Sequence, residues 1–402
     1  MRYMLLTAAG LAAAGPACAK TIALKPVAEA RVRYEHVDQQ GLATTASDAL
    51  TARVRAGITA SNGSITATAI AQGNLAIVDN YYDGLHGAAT RPLVADPQNI
   101  ALYVAQLQYK SKQVTLTGGR QRIMLDDERF VGNVGFRDNA QTFDAVRAEL
   151  TPVKNVKLDV AYAWDVRTIW GIDGVGARPR EIGGNNVFVN LSATTKLGTL
   201  TGFGYFVDQD EATVQSYKLS SKTFGGRFAG SRPLSKVAKL SYAFSYAHQE
   251  DMHRNPNHYA ADYWLADLTL DVKAWKLNAG YEVLGADKGV ALTSFQTPLA
   301  TGFKFQGWAN KFLTTPPNGV RDLYAGASYG WKKVGKIDLI TLQGVYHRFD
   351  SDILSQHYGD EVDLLASAKI KKYTFALRYA HYDASAFATN TDKFWAQLDW
   401  AF

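Results

Sequence analysis

The side chains with the most chemical potential in this sequence are arginines. Arg31 and Arg33 stand two residues apart, as do Arg53 and Arg55, and residues two apart share one face of an extended chain. A guanidinium keeps its charge at physiological pH and grips a carboxylate with a planar fork. Four of them on neighbouring strands, flanked by Glu29 and Glu35, would make an anion-selecting constriction. If each is instead matched by a cross-strand acid, the same residues only keep a cavity wet. Arg147, Arg167, Arg227 and Arg378 fall on the same parity, as do the acids Glu149, Asp159, Asp165, Asp267, Asp271, Glu282, Asp322, Asp363 and Asp399. Arg120 and Arg122 share parity with the apolar Val114 and Leu116, so a bulge at Gly118-Gly119 is expected to turn them inward.

Other chemistry is poorly supported. His248, His253 and His258, with Glu250 and Asp251, match no common zinc spacing, and no metal or organic cofactor is expected. Asp126-Asp127-Glu128 could hold Ca2+ at a loop. No serine is expected in a strained Gly-x-Ser-x-Gly elbow, and no Ser/His/Asp set can be matched by spacing. The single cysteine among 402 residues excludes a disulfide scaffold and a thiolate zinc site. The 43 basic and 37 acidic residues give a net charge of +6 without a basic run, so a nucleic-acid partner is not expected.

These residues are positioned by strands. From about residue 28 onward, apolar and polar residues alternate in segments of roughly ten, the period of a half-buried strand. Leu158, Val160, Tyr162, Trp164 and Val166 alternate with Lys157, Asp159, Ala161, Ala163, Asp165 and Arg167. The pattern recurs in Ala52/Val54/Ala56/Ile58, in Val362/Leu364/Ala366/Ala368 and in Tyr373/Phe375/Leu377/Tyr379. Tight turns are expected near Asn62-Gly63, Ser111-Lys112, Pro152–Asn155, Lys196–Gly198, Pro233–Lys236, Lys273-Ala274, Lys333–Lys336 and Lys371-Lys372, each followed or preceded by a longer loop. That alternation is the layout of a transmembrane β-barrel, and counting segments gives about 18 strands. In lipid, such a strand-rich chain can span only as a closed sheet. Tyr162, Trp164, Trp275, Tyr281, Tyr329, Trp331, Tyr373 and Trp400 are expected in interfacial girdles.

The ends of the chain agree with that layout. Arg2, the apolar run Met4–Ala14 and Ala17-Cys18-Ala19 read as a signal peptide over 1–19, leaving 20–402 as the barrel. The last alternating segment stops on Phe402, an aromatic terminus similar to the signal that barrel insertion machinery reads.

Two regions carry more detail. The first is Gly119-Arg120-Gln121-Arg122-Ile123, then Asp126 to Gly132, Phe136-Arg137 and Gln141 to Arg147. The second is Glu282-Val283-Leu284-Gly285, then Thr297-Pro298-Leu299, Gly307-Trp308-Ala309-Asn310-Lys311-Phe312-Leu313 and Gly319 to Tyr324. Together they resemble the alginate-export porin family of Gram-negative outer membranes. The resemblance implies a monomeric 18-stranded barrel whose narrow, Arg-lined lumen passes an anionic polyuronate, such as a uronate polysaccharide. It implies lumenal roles for Arg120, Arg122, Arg137 and Arg147, with Asp144 and Glu282 as their carboxylate partners. Where the family pattern has an acid after Gly-Trp-Ala, this chain has Asn310.

The expected protein is an outer-membrane channel for anionic solutes, in contact with membrane lipid or lipopolysaccharide. The segment from Leu284 to Val320 is long enough to fold into the barrel as a constriction or to cover its mouth, with Trp308 and Phe312 packing it on the wall. The competing classes are a non-specific general porin and an outer-membrane enzyme, the latter normally built on fewer strands.

Overall fold

In the computed structural model, which describes residues 22–402, the chain forms one antiparallel sheet of 18 strands. In chain order the first six are β1 (Ala23–Gln39), β2 (Ala46–Ser61), β3 (Ile65–Asn80), β4 (Asn99–Lys110), β5 (Val114–Gln121) and β6 (Thr142–Val153). Next come β7 (Val156–Arg167), β8 (Glu181–Thr194), β9 (Thr199–Val207), β10 (Ser221–Pro233), β11 (Ala238–Asp251) and β12 (Ala260–Val272). The last six are β13 (Trp275–Leu284), β14 (Val320–Val334), β15 (Ile337–Asp350), β16 (His357–Ile370), β17 (Tyr373–Ala384) and β18 (Thr391–Ala401). The proposed signal segment lies outside the described residues.

β1 pairs with β2 on one side and with β18 on the other, from Glu29 opposite Ala401 to Gln39 opposite Thr391, so the sheet closes. The connections alternate as the sequence predicts. Short turns at 62–64, 111–113, 154–155, 195–198, 234–237, 273–274, 335–336 and 371–372 share one rim with Ala23 and Phe402. The other rim carries the 40–45, 81–98, 122–141, 168–180, 208–220, 252–259, 285–319, 351–356 and 385–390 loops. Gly63 shows why the first turn closes so tightly: its φ of +95° is open to glycine at no steric cost.

Parity sorts the side chains. On β16, Val362 and Leu364 lie on the outer face while Glu361 and Asp363 are buried inside. The largest outward residues include Trp164, Trp264, Trp275, Trp331 and Tyr373, all at least 40 % exposed to the surroundings of the barrel. Several register shifts depart from simple alternation, and two of them bear on the lumen. Tyr103 is an extra residue in β4 against β3, between the Ile70–Val104 and Ala71–Leu102 pairs. In β7 a shift against β8 between Ala163 and Asp165 turns Val166 inward, where it is 3 % exposed, so its expected outward placement is corrected.

The interior is filled. Ile123, Leu125 and Val131 of the 122–141 loop pack with Phe295, Leu299 and Phe312 of the 285–319 loop, against wall residues such as Phe143, Phe188 and Tyr263. Both loops therefore fold into the lumen.

Replacing an outward apolar residue should cost far more than replacing a lumenal one. Leu364→Arg should destabilise the barrel in phospholipid vesicles by about 2–4 kcal/mol, whereas Gln343→Arg, on the inward parity of β15, should cost much less. Reversible urea unfolding into vesicles measures both.

Candidate functional site in the lumen

The constriction begins with the contact between the two infolded loops. Val131 bridges Leu299 in parallel, the Gly132 N–H donates to the Leu299 carbonyl at 2.9 Å, and the Thr301 N–H donates to the Glu128 carbonyl at 3.0 Å. Phe136 stacks in parallel on Phe303, which stacks in turn on Trp308, and Trp395 of β18 meets the Phe136 and Phe303 rings edge-on. Phe312 fixes the longer loop to the wall through Phe349, at a ring separation of 4.5 Å. Deep below them, Arg129 Nε donates to Glu282 at 2.7 Å and Tyr263 donates its hydroxyl to the same carboxylate at 2.8 Å. Burial works against the Arg129 charge, but Glu282 outweighs it and leaves the guanidinium more basic than usual.

A second anchor uses the first arginines. Arg31 and Arg33 both donate to the Phe136 carbonyl, at 2.8 and 2.6 Å, and Arg33 pairs with Asp96 of the 81–98 loop. Arg137 bridges Glu35 at 3.0 Å and Asp96 at 3.1 Å, while the Asp138 N–H donates to Asp96 at 2.7 Å. Burial pushes the Asp96 carboxyl above its ordinary range despite Arg33, and nearby Asp138 pushes it the same way. Burial also opposes charge on Asp138, but Arg33, Arg31 and the Thr51 hydroxyl together hold that carboxyl below its usual range.

The remaining arginines divide into neutralised and free. Arg147 is gripped by Asp159 through two hydrogen bonds of 2.8 and 2.6 Å. Arg55 donates to Gln72 and lies over the Tyr103 ring at 3.9 Å, with Glu29 no nearer than 3.6 Å. Arg53 is 4 % exposed, and its Nε and one terminal nitrogen have no hydrogen-bond partner. Arg378 also has a buried nitrogen without a partner and looks toward Phe136 and Trp308. A cavity of about 260 Å³ opens among Glu29, Arg31, Arg53, Arg55, Arg122 and Asp399, four guanidiniums against two carboxylates.

Several expected placements are corrected. No bulge forms at Gly118-Gly119: β5 keeps continuous register with β4 and β6, so Arg120 stays on the face of Leu116, outside the lumen. There it is held by Asp144 through two bonds of 2.8 Å. Asp144 lies between the inward Phe143 and Ala145 and is likewise outside, where it also accepts from Arg167 at 3.3 Å. Asp165, opposite Asp144, goes with them. Arg122 does line the lumenal cavity, because the chain leaves the wall after Gln121. Glu282 is lumenal, but its partner is Arg129, which the sequence reading passed over.

The three clustered loop carboxylates serve separate donors: Asp126 accepts from Asn190, Asp127 from Arg227, and Glu128 from Thr301 and Lys304. No group of metal-ligating side chains converges among the described residues. His248, His253 and His258 sit with Asp262, Asp208 and Asp251 respectively, apart from one another. Ser328 has the letters of a nucleophile elbow in Gly326-Ala327-Ser328-Tyr329-Gly330, contrary to the sequence expectation, but it sits within β14 opposite Gln343, with no strand-to-helix turn.

Glu361, which carries no signal in the sequence, completes the site together with Asp363, expected on the inward parity. Glu361 and Asp363 accept the Ala309 and Trp308 N–H groups at 2.6 and 3.1 Å, latching the 285–319 loop to β16. Beside them Lys311 donates to Thr391 at 2.5 Å. Burial, reinforced by Lys393, lowers the Lys311 ammonium to about 8.

A closed 18-stranded antiparallel barrel with charge inside and aromatics outside defines a membrane channel rather than a soluble sheet protein. The alginate export family model matches residues 26–289, and the chain belongs to that family. Solved structures share the fold at low identity. OccK9 (OpdG) of Pseudomonas aeruginosa is 13 % identical with a TM-score of 0.72, over 94 % of this chain and 98 % of that one. OccAB3 of Acinetobacter baumannii is 13 % identical with a TM-score of 0.68, over 94 % of this chain and 99 % of that one. The outer membrane protein OpdK of Pseudomonas aeruginosa is 10 % identical with a TM-score of 0.67, over 94 % and 98 % of the two chains. No curated protein matches the chain. Family and fold together make it an outer-membrane channel.

Two outcomes follow from the latches. Glu282→Ala leaves Arg129 buried without its counter-charge, a loss of about 3–5 kcal/mol, and should release the loops, seen as larger single-channel conductance and faster proteolysis within 122–141. Lys311 titrates in the docked loop near 8 and in a released loop near its ordinary value of 10.5. Between those values the released state binds more protons, so docking strengthens as pH rises. Conductance should therefore fall from pH 8 to pH 10, and Lys311→Met should flatten that dependence.

Proposed function

We propose that the channel passes small or oligomeric anionic solutes, of the carboxylate-bearing class that includes uronates and small organic acids, down their gradient through the Gram-negative outer membrane. The observation that carries this reading is the imbalance in the lumenal cavity, where four guanidiniums face two carboxylates and Arg53 keeps unpartnered donors. In a narrow, poorly hydrated passage such donors replace water around a carboxylate and repel small cations. Arg31 and Arg33 serve mainly to hold Phe136 and its loop in place, so the selecting charges in this reading are Arg53, Arg55, Arg122 and Arg378.

The protein acts without chemistry or a bound cofactor, as a monomer whose constriction is built within one chain. The short-turn rim faces the periplasm and the long loops face outward, and Phe402 closes the strand that the insertion machinery reads. A general porin would not need the 122–141 loop locked across its lumen by buried ion pairs to β13 and β1, which favours the selective reading.

Selectivity in planar bilayers tests it. Under a salt gradient the wild type should show an anion-favouring reversal potential. Arg53→Glu combined with Arg122→Glu should move it toward cations, and Arg120→Gln, outside the lumen, should leave it unchanged. Equal potentials in all three would overturn the reading.

A further inference from the structure

On the outer face, just inside the long-loop rim, one arrangement of side chains recurs four times. In the first copy, Tyr34 and His36 of β1 both reach Asp48 of β2, at 2.5 and 2.8 Å. His36 lies directly opposite Asp48 in the ladder, and Tyr34 lies opposite the apolar Leu50. The second copy pairs Tyr246 and His248 of β11 with Asp262 of β12, at 2.9 and 2.8 Å, over Trp264. The third pairs Tyr379 and His381 of β17 with Asp392 of β18, at 2.5 and 2.9 Å, over Phe394. In the fourth, Tyr346 of β15 donates to Asp360 of β16 at 2.5 Å, and Arg348 takes the histidine's place opposite it, over Val362. Three copies occupy six consecutive strands of the closed sheet, β15 to β18, β1 and β2.

The lumen does not explain this repeat. Each histidine stands on the outward parity, with a side chain 37–44 % exposed. Its Nδ1 is held by the aspartate, which leaves Nε2 turned away from that carboxylate, although in the second copy His248 Nε2 also lies 3.6 Å from Glu250; the tyrosine and the apolar residue below it face acyl chains. An apolar floor under a fixed, outward-turned hydrogen-bond donor is the shape that a phosphorylated lipid headgroup fits. A bridging divalent cation fits poorly, because the same aspartate oxygen is already engaged by the tyrosine hydroxyl and by an imidazole nitrogen within 2.9 Å.

We propose that these four modules dock the phosphate groups of outer-leaflet lipids, with His36, His248, His381 and Arg348 as donors, the histidines positioned by Asp48, Asp262 and Asp392 and Arg348 by Asp350, to which its Nε donates at 3.2 Å. The proposal rests on the barrel standing in a bilayer and is independent of which solute crosses. Full-length barrel reconstituted at pH 6 in phosphatidylcholine, with brominated phosphatidic acid as quencher, reads the contact through outward tryptophans such as Trp264. Phosphatidic acid should be enriched at the barrel at least threefold over brominated phosphatidylcholine. The variant H36Q/H248Q/R348Q/H381Q should bring the ratio to one, and H36R/H248R/H381R should keep it. If the fourfold variant fails to insert, H248Q alone should remove the enrichment seen at Trp264. Enrichment that survives the Gln variants, or that is abolished by chelating divalent cations, would overturn the proposal. Reversal potentials should be the same in all of these variants, which separates this test from that of the channel's selectivity.

Discussion

Everything in this molecule depends on the backbone ladder having no free edge. Hydrocarbon offers no partner to a peptide N–H or C=O, and each one left bare costs several kcal/mol. β1 meets this constraint by pairing over most of its length with both β2 and β18. Once the ladder closes, every strand has one face toward lipid and one toward the interior, and charge is tolerated only on the second or near the rims.

That sorting leaves many ionised side chains to be reconciled inside a narrow space, and the protein uses most of them as fasteners. Arg33 with Asp96, Arg137 with Glu35, and Arg129 with Glu282 each tie a loop residue to another loop or to the wall. These pairs carry little net stabilisation compared with apolar packing, but breaking one strands a buried charge, so they specify where the loops sit. A few guanidiniums are left over after this matching, with Arg53 and Arg378 keeping buried nitrogens without a hydrogen-bond partner.

The wall was legible in the sequence because its signal is periodic and local. Alternation and eight tight turns suffice to give the strand number and which connections are short. What failed was local irregularity: an expected bulge at Gly118-Gly119 that the register does not contain, and an actual shift in β7 that turned Val166 inward. Each error moves side chains to the opposite face, and so Arg120, Asp165 and Arg167, expected in the lumen by parity, stand outside it in an ion cluster with Asp144, which the family resemblance alone places inside. The site was less legible than the wall. Asp96, Asp138, Arg129 and Glu361 act through contacts more than forty residues distant in sequence, made by loops whose path into the barrel no periodicity encodes.

The most direct measurement is quenching of single-tryptophan barrels by lipids brominated along their acyl chains. Trp331, 40 % exposed on the outer face, should be strongly quenched, while Trp395, fully buried on the inward face among Phe136 and Phe303, should keep its emission. Equal quenching of the two, or quenching of Trp395 alone, would contradict the division into a lipid-facing and a lumen-facing side.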